Sequence, residues 1–259
     1  MKSVRSLAVL CGWLALAGPA GAGLAFYQDL RLAADLDGDG RNELVVPFWN
    51  PDARREAGQY LAVIGLDGGA PRAWFIDLGS ALRILDLRAE EGRLVLEVIQ
   101  SDNDGRDACC HQRKVLRRWA LRDGALVEQA SETLGPASIE DLAGLAWRLE
   151  TLNGEPVSQG PTLIIEKARL HGNTGCNDYF VRAADGEERG GALKMGPVGS
   201  TRKTCQGPSK VLEKRYLEAL RRVERFEVQG DRLRLVWRNE QTGGALVFRE
   251  MPLNGAKSR

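Results

Sequence analysis

Short apolar stretches, separated by glycine-containing turn signals, run through most of this 259-residue chain. Stretches of this length with alternating apolar positions are typical of strands. The sharpest hairpin signal is Asp123-Gly124, which lies between two such stretches. The predicted strands cover residues 44–46, 60–66, 73–78, 94–99, 115–121, 126–128, 147–152, 162–170, 226–228, 233–237 and 245–248. The pattern therefore predicts a mostly antiparallel β fold.

One segment has a helical period instead. Within residues 209–223, Leu212, Tyr216 and Leu220 fall on one stripe, as in an amphipathic helix, and Pro208 suits its first turn. We therefore predict an α+β fold of two small domains, the second of which is an antiparallel sheet with one packed helix.

The boundary between these domains is predicted where the strand pattern weakens. Gly135-Pro136-Ala137-Ser138 is a candidate linker. It separates an N-terminal β-rich domain, residues 23–137, from a second domain, residues 138–259. Ser138, followed three residues later by Asp141, also predicts a capped helical turn.

The N-terminus has the layout of a secretory signal peptide over residues 1–22. Lys2 and Arg5 precede an apolar run over residues 7–17, and small residues lead up to a cleavage position after Ala22. The run is shorter than the roughly 20 residues that span a bilayer, although an uncleaved anchor is the alternative. We expect a periplasmic or secreted product that has no transmembrane span after cleavage.

Charge and composition narrow the class of function. The formal net charge is +1, so we expect no nucleic-acid partner. Hydrophobic residues make up 43% of the chain, which is enough for a buried core. The chain has only 2 His, so common metal and acid–base sites have few members to draw on.

Four cysteines remain after the predicted signal peptide. An even number in an oxidising compartment indicates disulfides, and four cysteines allow three pairings. The simplest pairing joins Cys176 to Cys205 and leaves the adjacent Cys109 and Cys110 to a strained bridge, whereas a crossed pairing would join the two halves. A zinc site at Cys109, Cys110 and His111 competes, but it lacks the usual C-x₂₋₄-C spacing.

An acidic loop is the sharpest local motif outside the cysteines. Asp35, Asp37 and Asp39, followed by Gly40, match the start of an EF-hand calcium loop, in which alternate carboxylates converge on the ion. The loop is therefore a candidate Ca²⁺ site.

The rest of that loop departs from the EF-hand pattern. Val46 occupies the position of the bidentate glutamate, so Glu43 and the Arg41 carbonyl are the candidate remaining ligands. The stretch D-L-D-G-D-G-R-N-E-L-V-V resembles the loop of FG-GAP repeats, and its single copy excludes a full propeller. An Asx-rich turn without an ion is the alternative.

Several motifs follow one another in order between residues 142 and 250. They are W-R-L with N-G, then H-G-N-T-G-C-N, then T-R-K-T-C, then the predicted helix and a G-D-x-L-x-L hairpin. In this order they resemble the META/HslJ family of exported bacterial proteins, with Asp178-Tyr179 as one departure. The residues that carry the resemblance are Trp147, Gly172, Gly175, Cys176, Asn177, Thr201, Cys205 and Glu213.

The resemblance implies a compact antiparallel sheet with a helix, and an envelope or stress-related role with no established catalytic activity. The N-terminal half resembles an exported domain often found in such proteins. We therefore expect an exported, non-enzymatic protein of envelope maintenance or stress tolerance, with Ca²⁺ as its candidate cofactor.

Two other functions compete with this expectation. A rigid, disulfide-linked exported domain also suits an inhibitor or a partner-binding module for an envelope enzyme. A Cys-dependent hydrolase would need a free Cys176 thiol activated by His171.

Overall fold

The computed structural model describes residues 24–27, 30–49, 58–67, 69–101, 112–186, 190–238 and 243–251. The predicted signal peptide and the predictions for Cys109, Cys110 and His111 lie outside these residues. Within them, no helix has both the length and the apolar character needed to cross a membrane.

Two antiparallel sheets are built from the strands before residue 137. The first has the order β1-β3-β4-β5, with β2 also paired to β3, and the second is the meander β6-β7-β8-β9. Their strands are β1 (Ala25–Phe26), β2 (Leu32–Ala34), β3 (Glu43–Trp49), β4 (Gln59–Asp67), β5 (Ala70–Gly79), β6 (Leu82–Glu90), β7 (Arg93–Ser101), β8 (Gln112–Arg122) and β9 (Ala125–Pro136). Arg122 pairs with Ala125 across the predicted Asp123-Gly124 hairpin, which is thereby confirmed.

The remaining strands form one ten-stranded antiparallel sheet. Its order is β15-β14-β13-β12-β10-β19-β18-β17, with β11 paired to β10 and β16 paired to β14. Its strands are β10 (Ala146–Leu152), β11 (Glu155–Pro156), β12 (Thr162–Glu166), β13 (Arg169–Asn173), β14 (Asp178–Asp185), β15 (Leu193–Met195), β16 (Gly199–Ser200), β17 (Arg225–Gln229), β18 (Arg232–Arg238) and β19 (Gly243–Met251). A 3-10 helix (Ile139–Leu142) precedes β10, and helix α1 (Pro208–Leu220) lies between β16 and β17.

This sheet curls until its two ends nearly meet. Ala192 forms a β-bridge with Arg225, and the Leu193 amide donates to the Glu224 carbonyl at 2.7 Å. Strand β17 therefore lies beside the segment that leads into β15, and the sheet approaches a closed barrel. The predicted antiparallel sheet with one helix is confirmed, in this more closed form.

Helix α1 packs on the barrel through one face. Tyr216, Leu217 and Leu220 are buried on that face, and Val223 is buried just after the helix ends. The predicted helix is confirmed, but it begins at Pro208, one residue before the predicted start, and it ends three residues before the predicted end.

Several predicted boundaries are wrong. Residues 162–170 were predicted as one strand, but Lys167 and Ala168 take positive φ angles of 48° and 56° and turn the chain between β12 and β13. Because neither is glycine or asparagine, the usual turn signal is missing. Seven strands were not predicted: β1, β2, β6, β11, β14, β15 and β16.

The candidate linker is part of the folded structure. Gly135 and Pro136 lie at the end of β9, and the Ala137 amide donates to the Gln112 carbonyl at 2.8 Å. The capped turn is confirmed, since the Ser138 side chain accepts from the Glu140 amide while Asp141 accepts from the Ser138 amide.

The buried apolar residues form two clusters. The first includes Val45 and Leu61 from the first sheet and Leu94 and Trp119 from the second, so these two sheets share a core. The second cluster fills the barrel and includes Ile99, a β7 residue from the N-terminal half. The boundary between the clusters therefore does not follow the predicted domain boundary.

Arg83 joins the two halves of the chain. This β6 residue is buried, and its Nη1 donates to the Gly230 carbonyl at 2.6 Å and to Glu250 Oε2 at 2.8 Å. Its guanidinium lies 5.3 Å from the centre of the Trp147 ring and 5.8 Å from that of Tyr27. Both distances are within cation–π range.

Further hydrogen bonds surround this contact. The Gly230 amide donates to the Leu82 carbonyl at 2.9 Å, and the Val228 amide donates to Gln112 Oε1 at 3.1 Å. Gln229 Nε2 donates to the Ser80 carbonyl at 2.6 Å. The turn between β17 and β18 is thus seated against the N-terminal sheets, and the structure does not confirm two separate domains.

We predict that Arg83→Ala lowers the free energy of unfolding by about 3 kcal/mol, because it leaves the Gly230 carbonyl and Glu250 without their cationic partner. Arg88 lies on the same strand and forms ion pairs with Asp86 and Glu90 at half-exposed positions, and Arg88→Ala removes both pairs. Its cost should stay below about 1 kcal/mol. Urea unfolding measures both, and equal losses would contradict the anchoring role of Arg83.

Candidate functional site

The acidic loop connects β2 to β3 and brings its three aspartates together. Asp35 accepts from the Gly38 amide at 2.7 Å and from the Gly40 amide at 2.9 Å, while Asp37 accepts from the Asp39 amide at 3.0 Å. Carboxylate oxygens of Asp35, Asp37 and Asp39 lie within 4.8 Å of one another. Such convergence is what a Ca²⁺ ligand set needs, and like charges this close repel when no cation is present.

Glu43 lies beneath this loop and outside the group of three carboxylates. It is only 1% exposed, and its Oε2 accepts from the Leu36 amide at 2.8 Å. Burial raises the pKa of the Glu43 carboxyl, and the negative charge of Asp37 raises it further. The Arg41 side chain faces Asp39 at 4.0 Å. Glu43 therefore holds the loop to strand β3 through the Leu36 amide.

The cysteine pairing in the barrel is the simplest one that the sequence allowed. The sulfur atoms of Cys176 and Cys205 lie at bonding distance, and their Cα atoms are 6.1 Å apart, within the disulfide range. This link ties the loop between β13 and β14 to the segment that leads into α1.

Asn177 is the centre of a hydrogen-bond network beside this disulfide. Its side-chain amide donates to Glu213 Oε1 at 3.0 Å and to the Lys203 carbonyl at 3.3 Å. Its Oδ1 accepts from Thr201 Oγ1 and from the Lys203 amide, both at 2.7 Å. We call the loop between β13 and β14 the signature loop. The single buried side chain of Asn177 thus joins this loop to the segment before α1 and to α1 itself.

Thr174 completes the network from inside the loop. Its hydroxyl donates to Glu213 Oε2 and accepts from the Asn177 amide at 2.9 Å. Both carboxylate oxygens of Glu213 are therefore engaged by the loop. The sequence predicted Glu213 as a motif residue but did not predict Thr174, although Thr174 lies within the G-N-T-G-C-N motif.

Two glycines of the signature have distinct structural reasons. A Cβ at Gly172 would lie 2.0 Å from the Thr162 carbonyl oxygen, so only glycine lets β12 and β13 approach this closely. Gly175 has a φ of +92°, in the region that favours glycine.

Tyr179, at the predicted departure from the family pattern, belongs to the barrel interior. Its hydroxyl donates to the Thr162 carbonyl at 2.9 Å, and the Tyr216 hydroxyl lies 2.6 Å away. Burial raises the pKa of both phenols. The contact fixes α1 to β14, two residues from Asn177.

Cys176, Cys205 and Glu213 also lie close enough together to suggest a metal site. Both sulfur atoms are bonded to each other, however, and a metal would need them as thiolates. The same bond removes the free Cys176 thiol that a Cys–His hydrolase requires. His171 lies on β13 instead, with its Nε2 3.7 Å from Glu166 Oε2.

A shallow groove of about 500 Å³ runs along β13 and β14 beside the signature loop. Its lining includes Arg169, His171, Asp178 and the exposed Phe180. The Arg169 guanidinium lies 4.6 Å from the centre of the Phe180 ring. A cation over an aromatic ring can form a platform for a ligand or a partner.

We predict that Asn177→Ala lowers the free energy of unfolding by about 2–4 kcal/mol, since it leaves buried partners on three segments without hydrogen bonds. Asn173→Ala is the matched control. Its side chain donates to Asp178 and accepts from the Gly175 amide at exposed sites, so its loss should be clearly smaller. Urea unfolding of both variants measures the difference, and an equal effect would show that Asn177 does not organise the loop.

The family comparison agrees with this part of the structure. Residues 140–251, from the 3-10 helix to β19, match the META domain family model. The match does not include the acidic loop. No match was found among curated proteins or among solved structures. The C-terminal part of the chain is therefore a META domain, and the Asn177 network with its disulfide lies within it.

Proposed function

We propose that this chain is an exported, non-enzymatic protein that supports envelope maintenance or stress tolerance. The observation that carries the proposal is that the residues of the family motif bond to one another. Thr174, Asn177, Thr201 and Glu213 bond to one another, and Cys176 bonds to Cys205. The polar atoms of these residues bond to one another and hold the signature loop against α1, which is a structural role.

Two independent features of the chain support an exported location. Residues 1–22 have the layout of a signal peptide with cleavage after Ala22. A disulfide closing a loop of 29 residues persists in oxidising compartments such as the periplasm. The META domain supports an envelope or stress role by resemblance alone.

The test is complementation in a strain that lacks the gene, grown under heat or envelope stress. His171→Ala should restore survival to the wild-type level, because His171 has no chemical role in this proposal. Asn177→Ala should restore it only to the extent that folded protein accumulates. Mass spectrometry of the exported protein checks the N-terminus at Gly23.

A folded, normally abundant His171→Ala protein that fails to complement would contradict the proposed non-enzymatic role. Retention of residues 1–22 on the mature protein would contradict the proposed route of export.

We also propose that the acidic loop binds Ca²⁺ and stabilises the N-terminal sheets. Asp35, Asp37 and Asp39 would hold the ion. The Arg41 carbonyl is the further ligand that the sequence spacing suggests, whereas the buried Glu43 holds the loop through the Leu36 amide. The convergence of the three carboxylates supports this proposal. A bound ion would neutralise the repulsion between the three clustered carboxylates.

We predict that Ca²⁺ raises the melting temperature of the wild-type protein and that Asp37→Asn abolishes the shift. Asparagine keeps the acceptor for the Asp39 amide but removes the charge. Asp77→Asn is a close control, because Asp77 also accepts from the amide two residues later, at 2.9 Å, at an exposed position near the end of β5. Thermal unfolding with Ca²⁺ and with chelator measures both variants.

A Ca²⁺ shift of equal size in Asp37→Asn would place the ion elsewhere. The absence of any shift in the wild-type protein would contradict calcium binding.

The inhibitor or partner-binding function is the second candidate. The groove beside the signature loop favours it, because the exposed Phe180 and Arg169 form a platform suited to a partner side chain. Recovery of one stoichiometric partner from envelope extract, lost in Phe180→Ala, would favour this candidate over the first.

A further inference from the structure

One face of the first sheet is apolar and open to solvent. Strand pairing places Phe26 beside Phe48 and Phe48 beside Tyr60, and it places Ala62 beside Phe75. Because side chains alternate between the two sides of a strand, these residues share one side of the sheet. We call this side the outer face; it consists of Phe26, Ala33, Leu44, Val46, Phe48, Tyr60, Ala62, Ile64, Leu66, Pro71, Ala73, Phe75 and Asp77.

The opposite side of the same sheet already has its partner. Val45, Leu61, Val63 and Trp74 point into the core that the first sheet shares with the second. The outer face is therefore not needed for the internal packing of the N-terminal half.

Exposure is concentrated on the outer face. Phe75 is 69% exposed, Phe26 46%, Leu44 43% and Leu66 38%. These four are among only nine large apolar side chains exposed in the described part of the chain. A contiguous patch of this kind marks an interaction site more often than single exposed residues do.

The aromatic rings on this face form a continuous surface. The Phe48 ring lies 5.4 Å from Tyr60 in a stacked arrangement and 6.1 Å from Phe26. It also meets Phe75 edge-on, with centroids 6.5 Å apart. The rings support one another, so the surface is already ordered before anything binds, which lowers the entropic cost of association.

Charge distinguishes between occupants of this face. Asp77, opposite Tyr60 near one end of β5, is its one charged residue. A partner selected by charge would need complementary groups here, and the face offers no others. A second copy presents the same apolar surface with Asp77 as its single charge, so a two-fold arrangement brings few like charges together.

The area is consistent with a weak dimer. With about 200 Å² for a large side chain, the four most exposed residues alone leave roughly 400 Å² open on each copy. Two copies would bury at least about 800 Å², which lies at the low end for specific interfaces. Half-buried neighbours such as Val46 and Ile64 add to this area.

We propose that the outer face is the docking surface for a second copy of this chain, packed sheet on sheet about its aromatic centre. Face-to-face sheets pack about 10 Å apart with interdigitating side chains. Phe75 is the most exposed of the large apolar residues on the outer face and is therefore best placed to enter such an interface. The proposal stands independently of the envelope role and of calcium binding.

Sedimentation velocity of the purified protein, from about 5 µM to about 1 mM, tests the proposal. We expect a weak dimer of the wild-type protein, with a Kd of roughly 10–1000 µM, because the interface is at the small end for specific association. Phe75→Asp should raise the Kd at least about tenfold, because it places two buried charges in the interface. Val127→Asp, at an exposed position on β9 of the other sheet, should leave the Kd unchanged.

A second measurement identifies what covers the face. The photoreactive residue benzoylphenylalanine at position 75 should give a cross-linked dimer of this chain. A wild-type protein that stays monomeric at about 1 mM would overturn the proposal, as would equal Kd values for Phe75→Asp and Val127→Asp. Cross-links only to lipid, to another protein or to residues 1–23 of the same chain would also overturn it.

Discussion

The buried guanidinium of Arg83 is the interaction on which the arrangement of the two halves depends. The Arg83 side chain extends from strand β6 to the META domain. There it donates to the Gly230 carbonyl and to the Glu250 carboxylate, and it lies over the Trp147 ring. Because a buried cation is costly when its carboxylate or carbonyl partner moves away, the contact fixes the turn between β17 and β18 against the N-terminal sheets. The chain is thus two hydrophobic clusters joined by a specific polar interface.

A second buried polar group has the same function on a smaller scale. Asn177 connects three segments that are remote in sequence, and the disulfide beside it removes the freedom of the loop that carries it. Polar residues that satisfy one another in this way specify one arrangement of the backbone. The signature residues of the META domain therefore have a structural role in this chain.

The sequence predicted the parts of the fold that depend on local signals. Hairpins at Asp123-Gly124 and Gly230-Asp231, the amphipathic helix, the capped turn at Ser138 and the Cys176–Cys205 pair all have such signals, and the structure contains each of them. The turn at Lys167-Ala168 has none, so one strand was predicted where there are two. The role of Arg83 could not be predicted, because its partners Gly230 and Glu250 lie 147 and 167 residues away in the chain. The apolar outer face could not be predicted either, because its exposure depends on which side of the first sheet packs against the second sheet.

Native-state hydrogen exchange tests most directly whether Arg83 makes the two halves one cooperative unit. We expect the slowest amides of β7, in the N-terminal core, and of β18 and β19, in the barrel, to exchange with the same free energy and the same dependence on denaturant. Two separate groups, one opening while the other stays protected, would show that the halves are independent domains and would contradict this account.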